Sequence, residues 1–86
     1  MANTAQARKR ARQSEKARQH NASLRSRLRT SIKKVVYAIE AGEKDTATEA
    51  FKAAVPVIDS MVNKHIIDAN KAARHKSRLN SRIRAI

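Results

Sequence analysis

Charge is the first thing a fold of this chain has to accommodate, and it is segregated along the sequence. Residues 1–34 hold eleven Lys and Arg against one acid, Glu15, for a net of +10. Residues 35–63 hold Lys44 and Lys52 against Glu40, Glu43, Asp45, Glu49 and Asp59, for a net of −3. Residues 64–86 return to +6, with seven bases and one acid, Asp68. A formal charge of +13 on 86 residues repels itself, and a polyanion is the natural relief. Nucleic acid ranks first as that partner, an anionic membrane surface second and acidic protein third. The two ends are expected to meet it and the acidic middle is not.

Length bounds the chain to one domain with a small core. Only one glycine and one proline punctuate it. Gly42 lies just past Val35-Val36-Tyr37-Ala38-Ile39, where a helix closes in the left-handed conformation. Thr46-Ala47-Thr48-Glu49 fits a capping box, with Asp45 as an alternative cap. A second break is expected near Asn63-Lys64-His65, because Asn also tolerates the left-handed position. Three helices follow, over 4–41, 46–62 and 67–84, and no segment has the alternation of a half-buried strand. The expected fold is all-α: a three-helix bundle whose long, basic N-terminal helix extends beyond it.

Placing residues at about 100° per position separates buried from charged faces. Leu24, Leu28, Ile32, Val35, Val36 and Ile39 share one arc of the first helix, while Arg27, Arg29, Lys33 and Lys34 fall outside it. Arg25 falls inside the arc, so the core is expected to begin just beyond it. In the second helix Ala47, Ala50, Phe51, Ala54, Val55, Val57, Ile58, Met61 and Val62 cluster, and Pro56 projects on the polar side, where water can satisfy the carbonyl it leaves unpaired. In the third helix Ala72, Leu79, Ile83 and Ile86 share a face opposite a stripe of Lys71, Arg74, Arg78 and Arg82. Lys76 lies near the apolar side and must snorkel.

Residues 5–23 differ from the rest. Arg8, Lys9, Arg10, Arg12, Lys16 and Arg18 surround the helix and the only apolar side chains are alanines, so no face is available to bury. The i, i+4 pairs among Arg8, Arg12 and Lys16 each cost roughly 0.2–0.5 kcal/mol. Within a single domain, residues 1–23 are therefore expected to fray when free and to order on a polyanion, while 24–86 form the bundle.

Several classes of function find no support. There is no Cys, hence no disulfide framework and no thiolate zinc site. No apolar run reaches the roughly 20 residues that span a bilayer. His20, His65 and His75 lack metal-ligand spacing, and no HExxH, glycine-rich phosphate loop or nucleophile elbow occurs. An enzyme, a cofactor, a metal and a small-molecule substrate are accordingly not expected. His20, His75 and Asn21 read as polar contacts beside the nucleic acid, and His65 as a loop residue. With one Tyr, one Phe and no Trp, aromatic stacking on bases cannot be a main contributor.

Ser14-Glu15-Lys16-Ala17-Arg18-Gln19-His20-Asn21, then Arg29-Thr30 with Ile32-Lys33-Lys34, then Asn70-Lys71-Ala72-Ala73-Arg74-His75-Lys76 together resemble the bacterial small-subunit ribosomal protein S-twenty family. The match runs in register over nearly the whole chain, including the acidic middle and the proline of the second helix; Gln19 departs from the Lys or Arg expected there. The resemblance implies a cytoplasmic protein of the small ribosomal subunit that binds 16S rRNA directly, touching its 5′ domain and its long penultimate helix. Its contact residues are then Arg8, Lys9, Arg10, Arg12, Lys16, Arg18, His20 and Asn21 on the extension. Arg25, Arg27, Arg29, Lys33 and Lys34 follow in the first helix, and Lys71, Arg74, His75, Arg78 and Arg82 in the third. The mechanism expected is an electrostatic clamp in which the first and third helices face separate RNA helices.

Overall fold

A computed structural model describes residues 4–86. Three helices occupy most of it, α1 Ala5–Glu40, α2 Lys44–Asn63 and α3 Ala69–Arg84, and no strand occurs among the described residues. Each lies close to the bounds the sequence suggested. The molecule measures 62 × 22 × 15 Å with a radius of gyration of 17.7 Å. A compact chain of this length would have a radius of about 12 Å. The excess is α1: at 1.5 Å per residue it runs about 54 Å, and only its second half is packed. Its buried residues are Leu24, Leu28, Val35, Ala38 and Ile39, whereas residues 8–20 are exposed throughout. Residues 1–3 of the expected extension lie outside the described residues.

The helix breaks follow from backbone geometry. After α1, Gly42 takes φ +72°; its N–H donates to the Ile39 carbonyl at 3.0 Å and the Glu43 N–H to the Ala38 carbonyl at 3.0 Å. These are the two bonds of a Schellman motif, which needs a left-handed residue at the position Gly42 fills. The same motif closes α2, where the His65 N–H donates to the Val62 carbonyl at 3.0 Å and the Ile66 N–H to the Met61 carbonyl at 2.9 Å. Here the left-handed residue is His65, at φ 60°, and not Asn63, which remains helical. An L-residue in that conformation costs about 1–2 kcal/mol. The offset comes from Ile66, which the turn places against the core.

The expected cap of α2 is also corrected. The helix begins at Lys44, N-capped by Glu43 without a side-chain hydrogen bond, so Asp45 and Thr46 lie inside it. The first Schellman motif ends on Glu43, leaving no residue between the two helices to act as a separate cap. Thr48 donates instead to the Lys44 carbonyl at 2.9 Å. Both other helices have side-chain caps: Thr4 accepts from the Ala7 N–H at 3.2 Å and Asp68 from the Lys71 N–H at 2.7 Å.

The core consists of Leu24, Leu28, Val35, Ala38 and Ile39 of α1, Ala47, Ala54, Ile58 and Met61 of α2, and Ala72, Leu79 and Ile83 of α3. Pro56 lies inside α2 and is exposed, as its polar-side placement required. Two expectations fail at the edges. The core starts at Leu24, which is 8 % exposed, one residue before Arg25 and not beyond it. Ile86 is 41 % exposed, because α3 closes at Ala85 and the apolar stripe does not continue past the cap. Lys76 snorkels as expected, and its Nζ meets Asp59 Oδ1 of α2 at 2.8 Å.

Candidate nucleic-acid interface

Arg25, Arg29 and Lys33 recur every four residues along α1, on the flank of the apolar arc that turns toward α3. Lys71 and His75, also four apart, line α3 on the opposite wall. Between them lies an open cleft of about 350 Å³, floored by Leu28 and Ile32 of α1 and by Ile66 and Ile67 of the connection. No carboxylate lines it. The cleft exists because α1 and α3 make only limited contact, each packing mainly against α2. The same α3 surface continues into a smaller hollow lined by Lys71, Arg74, His75 and Arg78. Cations of α1 and of α3 thus meet along one cleft.

The electrostatics of the cleft register on His75. Its pKa lies below the ordinary 6.5, chiefly because partial burial disfavours the imidazolium, and further because Lys71, Arg74 and Arg78 stand beside it. The cations themselves are exposed, so their mutual repulsion is moderated by water and awaits an anion.

The other sequence-derived candidates are placed differently. Arg8, Lys9, Arg10, Arg12, Lys16, Arg18 and His20 are exposed on the protruding half of α1, and Asn21 is half-buried. Arg18 makes a two-pronged contact with Glu15 at 2.7 and 2.8 Å, and Gln19 donates to the same carboxylate at 3.3 Å. Exposed pairs of this kind contribute little to stability, but Glu15 offsets one positive charge locally. Arg27 is exposed on the far side of α1, and Arg82 is exposed one turn past the hollow. Lys34 lies near the α1–α2 turn, beside Tyr37, Glu43 and Glu49. Sequence reasoning did not single out Ile66 and Ile67. Their signal is an adjacent pair of large aliphatics in a connection that is otherwise polar. Tyr37, 63 % exposed, was read only as part of an apolar run.

Among the described residues no three His, Asp or Glu side chains gather as metal ligands, and no helix is long and apolar enough to cross a membrane. Fold and surface together define a class, the small, all-helical, strongly basic proteins. The sequence model described as Ribosomal protein S20 matches residues 2–84, and the chain belongs to that family. Family members are structural ribosomal proteins that bind RNA and are not enzymes. The chain is 67 % identical to the small ribosomal subunit protein bS20 of Thioalkalivibrio sulfidiphilus, over 100 % of both chains. It is 66 % identical to that of Acinetobacter baylyi, over 100 % of this chain and 97 % of the relative. Identity to the protein of Teredinibacter turnerae is 65 %, over 100 % and 98 %.

Proposed function

We propose that this protein is a structural constituent of the small ribosomal subunit in the cytoplasm, and that it binds 16S rRNA directly and aids its folding by neutralising phosphate. The observation that carries this reading is the convergence of α1 and α3 cations on one cleft without a carboxylate in its lining. Three arginines or lysines from one helix and one from another, set across a cleft, are placed to hold RNA backbone and to fix its approach. Arginine suits that task because its planar fork can grip phosphate with two hydrogen bonds. RNA backbone and shape are what such a surface reads, since side chains cannot enter the narrow major groove of A-form RNA.

The exposed half of α1 extends this surface. A polycationic helix with no partner face gains order when phosphates take the place of water around it. It serves as a probe inserted among RNA helices while the bundle and cleft hold a second region. The 5′ domain and the penultimate helix are the two regions, by the family resemblance. Competition binding tests the reading. Folded 16S 5′-domain RNA should displace duplex DNA of equal length at physiological salt. Equal affinity for the two polymers would favour a general nucleic-acid compactor instead.

A further inference from the structure

We propose that the α1–α3 cleft holds one unpaired RNA nucleotide, its base against the isoleucine floor and its flanking phosphates on the basic rim. This rests on the RNA-binding function proposed above and adds a base contact to what was there a reading of backbone alone.

The floor is the first reason. Ile32, Ile66 and Ile67 are only partly buried, although they pack against the core. A phosphate needs no apolar floor and would leave this one wet. A paired A-form helix keeps its base faces stacked inside and offers ribose, phosphate and the polar base edges of its shallow groove, none of which is an apolar face. An extruded nucleotide, in contrast, brings a flat, largely apolar face to bury. The volume of about 350 Å³ lies at the small end of the range that ligand clefts occupy.

The rim supplies the second reason. Arg25 and Arg29 stand on successive turns, where a guanidinium plane can stack on a base while its edge reaches phosphate. Lys33 and Lys71 add charge on either wall. These side chains only donate hydrogen bonds. His75 is the one lining side chain able to accept one. Partial burial, and after it the neighbouring Lys71, Arg74 and Arg78, lower its pKa and so favour the neutral ring, on a wall that faces Arg25, Arg29 and Lys33 across the cleft. A neutral imidazole has one donor and one acceptor, which complement a base edge; phosphate has no use for the acceptor. No aromatic ring is required.

The test uses the full chain with its isoleucine methyls labelled and two RNA probes, a short hairpin with one bulged nucleotide and the same hairpin fully paired. Burying the apolar face of a base on the isoleucines is expected to raise affinity for the bulged probe about tenfold at equal salt. The methyls of Ile32, Ile66 and Ile67 should shift with that probe, while those of fully buried Ile58 stay in place. Ile67→Gln should abolish the preference and leave the paired hairpin bound as before. The methyl shifts are read on the unaltered chain, so the test stands if that variant fails to fold. Equal affinities with unmoved methyls would overturn the nucleotide site and leave phosphate binding intact. Failure of either hairpin to bind at low salt would overturn both.

Discussion

Replacing Arg74, Arg78 and Arg82 together by Gln isolates the electrostatic part of the mechanism. All three side chains are exposed, so no packing is lost and the fold should keep its stability within about 0.5 kcal/mol. Each phosphate contact removed flattens the dependence of log affinity on log salt by about 0.7–0.9. Three contacts therefore lower the slope by about 2–3. Between 50 and 200 mM salt, the native chain should consequently lose roughly 20- to 40-fold more affinity than the triple variant. Fluorescence anisotropy with labelled 16S 5′-domain RNA over a potassium chloride series measures both slopes directly. A variant of normal fold whose slope equals that of the native chain would refute the assignment of these arginines to phosphate.

Three further outcomes follow from the structure. Ile58→Ala, at a position with no exposure, should cost about 2–5 kcal/mol, a large share of the roughly 3–9 kcal/mol that residues 24–86 can be expected to provide; urea unfolding followed by circular dichroism measures it, and a loss under 1 kcal/mol would contradict the core assignment. Because the folded state lowers the pKa of His75, the unfolded chain binds more protons as pH falls through 6.5. Stability present above that pH should diminish below it, and His75→Gln should remove this component of the pH dependence of the urea midpoint. Amide exchange in the free chain should be fast over residues 5–20 and slow over 28–39, with the former becoming protected on RNA; equal protection of both halves in the free chain would show that the extension needs no phosphate to order.

Much of this fold is legible in the sequence because helical periodicity and helix ends are local. Gly42 marks the first turn, and the exposure of Pro56 follows from its angular position. The second turn is less legible: His65 takes the left-handed position because Ile66 must reach the core, a tertiary requirement that composition does not reveal. Arg25 illustrates the same limit at the site. On a helical wheel it lies among apolar residues, but that edge of α1 faces the gap before α3 and not its side chains. Individual cations could therefore be named from the sequence, whereas their convergence depends on how the connection at residues 64–68 sets α3 beside α1.

The central claim is that RNA lies against the α1–α3 side of the bundle and not against the outer face of α2. The chain contains no cysteine, so single probes can be attached without interference. Ser26→Cys beside the α1 cations, Ser81→Cys beside the α3 stripe and Ala53→Cys on the exposed face of α2 each place an iron chelate at a solvent-facing position. In assembled particles, hydroxyl radicals from positions 26 and 81 should cut 16S RNA strongly, and those from position 53 weakly. Strong cutting from position 53 with little from the other two would contradict the account.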